Sequence, residues 1–76
     1  MRRLGTVLHI SSHGYIIVKA ELFPRLNSIV LTKRMKKIGT VYDVFGPVRA
    51  PYVSIKPFAS VINSDSREIR GAKVYV

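Results

Sequence analysis

Cysteine is absent from the 76-residue chain, so disulfides and thiolate chemistry are excluded and an intracellular setting is the expectation. Acidic side chains are scarce, limited to Glu21, Asp43, Asp65 and Glu68. Long apolar runs are missing too: the longest, Gly14 to Val18, is far too short to span a bilayer. Met1-Arg2-Arg3 bears a faint likeness to the start of a secretion signal. However, His9 interrupts the apolar residues that follow, and no small-residue cleavage site comes after them. A cytoplasmic protein without a membrane partner is expected. No window carries the period of a helix of ordinary length, and repeats and low-complexity tails are lacking.

The groups that catalysis needs are equally thin. His9 and His13 have helical spacing, but Ser11-Ser12-His13-Gly14 reads as a turn, so they do not form a metal pair with a nearby acid. Asp43 lies inside a strand-like run, where a lone carboxylate reads as a hydrogen-bond acceptor rather than a general base. Gly39, Gly46 and Gly71 are isolated and build no phosphate-binding loop. The expectation is a binding module, not an enzyme, with no catalytic set, metal, cofactor or small-molecule substrate.

Apolar residues make up 47%, enough for a core, and residues 1–76 are expected to form one domain. A domain of this size buries roughly 60–65% of the surface its unfolded chain exposes, so a bound partner would add welcome stability. Thirteen Lys and Arg against four acids give a net charge of +9, which suits residence near nucleic acid or an acidic protein surface. A merely solvated basic exterior would show the same balance. Lys33, Arg34, Lys36 and Lys37 concentrate this charge in one short segment.

Period-two alternation marks the strands. Leu4 to Ile10 places Leu4, Thr6, Leu8 and Ile10 on one side and Val7 and His9 on the other. Tyr15 to Lys19 follows as a hairpin partner, with Gly14 at the turn. Ala20 to Asn27 is a connection in which Pro24 blocks a helix and Leu22, Phe23 and Leu26 are available to plug a barrel end. Ser28–Thr32, Ile38–Phe45 and Tyr52–Lys56 are further strands. Phe58–Asn63 reads as a turn or half a strand and Ser64–Ser66 as a loop. Ile69–Val76 is a last strand with a bulge at Gly71. Short, evenly spaced strands predict an all-β protein, most economically a small six-stranded closed barrel without free edges. The alternative is an open five-stranded oligonucleotide-binding barrel. Tyr15, Tyr42, Tyr52 and Tyr75 fall on four different strands, and packing in the core or at the rim is expected for most of them.

The stretch Ile38 to Pro57, IGTVYDVFGPVRAPYVSIKP, organises the rest. Gly46, Pro47 and Pro51 fix a turn between two alternating runs, yet the turn displays Val44, Phe45, Val48 and Tyr52 where a simple reversal would be polar. Alternation groups Phe45 with Val41 and Gly39, opposite Tyr42 and Val44, so that one of these faces must point outward.

Gly39-Thr-Val-Tyr-Asp-Val-Phe-Gly-Pro-Val48 followed by Pro51-Tyr-Val-Ser-Ile-Lys-Pro57 resembles the small GAR-type core protein of H/ACA ribonucleoproteins, in its archaeal form. The likeness includes Arg3-Leu-Gly-Thr-Val-Leu-His9, Gly14-Tyr-Ile-Ile-Val18 and Lys33-Arg34, covers nearly all of the chain up to Pro57, and weakens after it. The glycine/arginine-rich tails of the eukaryotic pattern are not found here. The resemblance implies a six-stranded barrel like the second domain of translation elongation factors. It implies a non-catalytic subunit that docks on the catalytic domain of a dyskerin-like pseudouridine synthase. There it would aid substrate RNA loading and product release in rRNA modification and ribosome biogenesis. Contact with the H/ACA guide RNA complex would be indirect or weak. Carried onto this chain, the interface set is Val44, Phe45, Gly46, Pro47, Val48, Pro51 and Tyr52, with Phe45 and Tyr52 as anchors. The alternative is a ribosome-associated barrel that binds RNA directly, using Lys33, Arg34, Lys36 and Lys37 with Arg2, Arg3 and Arg49 on phosphates.

Overall fold

β-branched and apolar residues at alternate positions build six strands: β1 (Arg3–Ile10), β2 (Ile16–Ala20), β3 (Ile29–Thr32), β4 (Lys37–Phe45), β5 (Tyr52–Pro57) and β6 (Lys73–Tyr75). The computed structural model describes residues 2–59 and 69–76. The strands close into an antiparallel barrel in the order β1-β2-β5-β4-β3-β6. Short β6 completes the ring by pairing with β1 on one side and β3 on the other. The all-β, six-stranded closed barrel is therefore what the sequence pattern predicts, and the open five-stranded alternative is not found.

Every strand feeds the core. Leu4 and Val7 of β1, Ile16 and Val18 of β2, Val30 of β3, Ile38 and Val41 of β4, Val53 and Ile55 of β5, and Val74 of β6 are all buried. Strict alternation does not generate this set, because β1 and β4 are each interrupted. The β1–β2 register slips between Val7 and His9, so Leu8 is an extra residue. Leu8 and His9 are therefore both exposed, while a second slip, against β6 between Arg3 and Gly5, lets Leu4 and Val7 both face the core; together they correct the simple two-sided reading of Leu4–Ile10. In β4 the same occurs at Ile38, against β3, and at Tyr42, against β5. Such bulges let long strands coil around a narrow barrel. Coiling also presses backbones together: a Cβ on Gly39 would lie 2.3 Å from the Lys56 carbonyl oxygen, and one on Gly5 2.1 Å from that of Lys19.

Two further expectations need correction. The last strand is shorter than Ile69–Val76, and Gly71 is not a bulge within it. With φ +82, Gly71 belongs to the turn before β6, where its N–H donates to the Val7 carbonyl at 2.8 Å. In the connection after β2, Leu22 packs on the core and Pro24 is buried, but Phe23 and Leu26 are largely exposed and do not plug the barrel. A turn closed by Ser28 N–H donating to the Arg25 carbonyl (3.2 Å), with Asn27 at φ +68, carries Leu26 outward. The Ser11–Tyr15 hairpin does form as expected, with Gly14 at φ +86 and Ser11 N–H donating to the Tyr15 carbonyl at 2.7 Å. The readings for Phe58–Asn63, from residue 60 on, and for Ser64–Ser66 lie outside the described residues.

Antiparallel order sorts the connections to two ends of a molecule 32 Å in its longest dimension. One end carries the Glu21–Ser28 connection, the turn between β4 and β5, and Arg2 hydrogen-bonded to Val76. The other carries the β1–β2 hairpin, the β3–β4 hairpin and the turn preceding β6.

Candidate interaction surface

Between β4 and β5 the chain reverses through Gly46–Pro51. Gly46 takes φ +90, a conformation that side-chain-bearing residues rarely adopt, and Ala50 N–H closes the turn on the Pro47 carbonyl at 3.2 Å. Pro51 is buried, and its carbonyl accepts a hydrogen bond from Ala20 N–H at 2.9 Å, which ties the turn to the end of β2. With that base fixed, Val48 stands at the apex, 83% exposed.

Phe45 and Tyr52 are cross-strand partners at the root of this turn, and their rings stack with centroids 5.8 Å apart and planes 26° from parallel. Phe45 is 45% exposed and does not belong to the core. Alternation grouped it with Val41 and Gly39; the bulge at Tyr42 undoes that grouping. After the extra residue Val44 turns inward and packs against the core, and Phe45 turns out. The Asp43 carboxylate accepts the Val44 N–H at 2.9 Å within this bulge, the structural role its position suggested. Val44, Phe45, Gly46, Pro47, Val48, Pro51 and Tyr52 are thus one contiguous feature: Val44 and Pro51 anchor it, Gly46 and Pro47 shape it, and Phe45, Val48 and Tyr52 form its accessible apolar face.

The same outer wall carries a second aromatic pair that the sequence did not reveal. Tyr15 and Tyr42 stack with centroids 4.8 Å apart and planes 20° from parallel. The register Ile17↔Ser54 and Ser54↔Asp43 puts Ser54 in the middle of this wall. Val53 and Ile55 on either side face the core, so Ser54 points outward, yet it is only 7% exposed. Side chains around it must therefore roof the centre of the wall. Desolvation raises the Tyr15 phenol above its ordinary value of 10.0, and the neighbouring Tyr42 adds to the effect. The sequence puts the tyrosines on four different strands and sets no two of them side by side; the structure pairs Tyr15 with Tyr42. The bulge at Tyr42, invisible to a period-two reading, helps to make the pairing possible. Aromatic surface thus extends from Val48 and Phe45–Tyr52 towards Tyr42, itself 56% exposed.

The basic residues divide between the two ends. Lys33, Arg34, Lys36 and Lys37 are exposed on the β3–β4 hairpin. Thr32 N–H donates to the Lys36 carbonyl, Met35 N–H to the Thr32 carbonyl (both 2.9 Å), and Lys36 N–H to Thr32 Oγ1 (3.2 Å), with Met35 at φ +67. Arg49 lies in the aromatic turn at the opposite end, and Arg2 and Arg3, at the start of β1, lie at that end too. Arg3 is engaged by Glu21 through two contacts of 3.0 and 3.1 Å. The proposed phosphate-contacting set is therefore not one patch: Arg2, Arg3 and Arg49 stand apart from the hairpin cations.

The model of the Gar1/Naf1 RNA binding region matches residues 1–76, the full length of the chain. The chain belongs to the Gar1/Naf1 family. It is 43% identical to an uncharacterized protein of Methanothermobacter thermautotrophicus over 77 residues, which cover 100% of this chain and 83% of that protein. It is also 41% identical to an uncharacterized protein of Methanocaldococcus jannaschii over 59 residues, 78% of this chain and 67% of that one. The Gar1/Naf1 match agrees with the resemblance read from the Gly39–Pro57 motif, and both relatives are archaeal. Among the described residues no group of three or more His, Asp or Glu side chains is placed to hold a metal ion, and no helix is long and apolar enough to cross a membrane.

Proposed function

We propose that this Gar1/Naf1 barrel is a non-catalytic subunit of an H/ACA RNA-guided pseudouridylation complex, docked by its aromatic turn on the catalytic domain of a dyskerin-like pseudouridine synthase. The observation that carries this reading is the outward Phe45–Tyr52 stack at the root of a turn that exposes Val48 at its apex and whose backbone is pinned by Gly46, Pro47 and the Pro51–Ala20 hydrogen bond. Aromatic residues on a preordered support lose little conformational freedom when covered, and residues of this kind dominate interface energetics. The core does not need Phe45 or Val48, so their exposure has no purpose within the isolated fold. Phe45 and Tyr52 act as anchors, Val48 as the inserted tip, and Tyr42 extends the contact along β4. The barrel contributes no group to the isomerisation; it biases the synthase's substrate-gripping segment and so speeds RNA loading and product release.

The test is a reconstituted reaction of synthase, guide RNA and substrate RNA with and without the chain. Addition of the chain should raise multiple-turnover pseudouridylation while leaving the single-turnover rate nearly unchanged, and Phe45→Ala should abolish that gain. Equal stimulation by the Phe45→Ala chain would overturn the reading.

A further inference from the structure

The barrel end opposite the aromatic turn collects cations that the docking role does not use. Lys33, Arg34, Lys36 and Lys37 are exposed on a hairpin held in one conformation by the three bonds around Thr32. The β3–β6 pairing, with Thr32 opposite Val74, brings Lys73 level with the start of that hairpin, and Arg70 lies in the turn just before it. Both are exposed, and Lys73 is steadied by donating to Thr6 Oγ1 at 2.7 Å. Among the described residues the two carboxylates are elsewhere: Glu21 is paired with Arg3 at the other end, and Asp43 is bonded to the backbone in β4. Asp65, Arg67 and Glu68, outside the described residues, sum to a single negative charge, so the excess survives wherever they lie.

We propose that this basic pole, made by Lys33, Arg34, Lys36, Lys37, Arg70 and Lys73, is the RNA-contacting surface of the chain and grips backbone phosphates without reading bases. Its composition favours nucleic acid over an acidic protein. Lysine is depleted from protein–protein contact surfaces, whereas protein–nucleic acid contacts are dominated by positive charge. Four of these six cations are lysine. The pole also offers no carboxylates or aromatic rings of its own on the hairpin, as expected of a surface that recognises charge spacing and not base edges. Lys37 opens β4 and Phe45 ends it, so pole and turn are separated by most of a nine-residue strand, roughly 25 Å at about 3.3 Å per residue. A partner on the aromatic turn leaves the pole free, so the barrel bridges protein and RNA; that last consequence rests on the docking reading, while the RNA contact itself does not.

The experiment is fluorescence anisotropy of the isolated full chain with a labelled RNA stem-loop across a salt series. It compares the parent, a variant with Lys33→Gln, Arg34→Gln, Lys36→Gln and Lys37→Gln, and a control with Arg2→Gln and Arg49→Gln. Circular dichroism of each variant verifies the barrel, and polyglutamate serves as an acidic competitor. The hairpin variant should bind about tenfold or more weaker at low salt, and its slope of log affinity against log salt should shrink by about three, the loss expected for four phosphate contacts. The control should stay close to the parent. An equal loss in the control, unchanged binding by a folded hairpin variant, or displacement by polyglutamate as effective as by unlabelled RNA at matched charge would overturn the proposal, the last in favour of an acidic protein partner. Because no synthase is present, failure here does not bear on docking by Phe45 and Tyr52.

Discussion

Phe45 and Tyr52 face each other across the end of the β4–β5 ladder and stack at 5.8 Å on the outside of the barrel, while Val44 and Val53, one step along the same ladder, face the core. That division assigns different tasks to adjacent residues. Phe45→Ala removes an exposed ring and should cost about 1 kcal/mol of stability or less, the value of a partly solvated aromatic pair. Ile55→Ala empties a fully buried site and should cost about 2–5 kcal/mol. Urea unfolding of the two variants checks the contrast, and equal losses would return Phe45 to a structural role.

Gly39 is a steric requirement of the barrel. A methyl group there meets the Lys56 carbonyl at 2.3 Å, and backbone cannot yield as a flexible side chain does. Gly39→Ala should destabilise by about 1–3 kcal/mol or more through overpacking, measured as a lower urea midpoint at unchanged slope.

Gly46 is restricted for another reason. Its φ of +90 disfavours any residue with a Cβ, and that Cβ would sit 3.0 Å from Cδ2 of Tyr52. Gly46→Ala should cost about 1–2 kcal/mol and also disturb the Phe45–Tyr52 stack. Its effect on synthase binding should therefore exceed that of a turn substitution at Arg49, which has no such contact requirement. Binding to the synthase by both variants, at a temperature where each is folded, makes the comparison.

Tyr15 provides a pH signature. Its phenol is held above the ordinary 10.0 because burial and Tyr42 disfavour the charged form. A folded-state value raised above the unfolded one contributes stability that is present below about pH 10 and lost as pH rises through the folded value. Ultraviolet titration should show a tyrosine that ionises above pH 10, and Tyr42→Phe should lower that transition in part, since desolvation is the larger cause. A Tyr15 transition at or below pH 10 would contradict the desolvated environment assigned to that phenol.

Much of the fold was legible because it follows from local rules. Gly14, Pro47 and Pro51 punctuate runs whose composition suits strands, and those runs are β1 to β5 within one or two residues. The facing of individual residues was less legible. The extra residues Leu4, Leu8, Ile38 and Tyr42 reset the parity of β1 and β4, and bulges leave no composition signal in a single sequence. That is why Phe45 was grouped with Val41, and why the Tyr15–Tyr42 pair could not be foreseen. The proposed interface set was visible as an apolar turn where polarity is usual. The division of the cations between two ends needed the strand order β4-β3-β6, which brings Lys73 beside a hairpin that lies some forty residues earlier in the chain.

Calorimetric titration of the chain into an archaeal dyskerin-like pseudouridine synthase, without RNA and at low and high salt, tests the central claim most directly. The account predicts one-to-one binding that changes by no more than about threefold when salt rises, since an apolar aromatic contact is little screened. No binding, or binding that collapses at high salt, would contradict it.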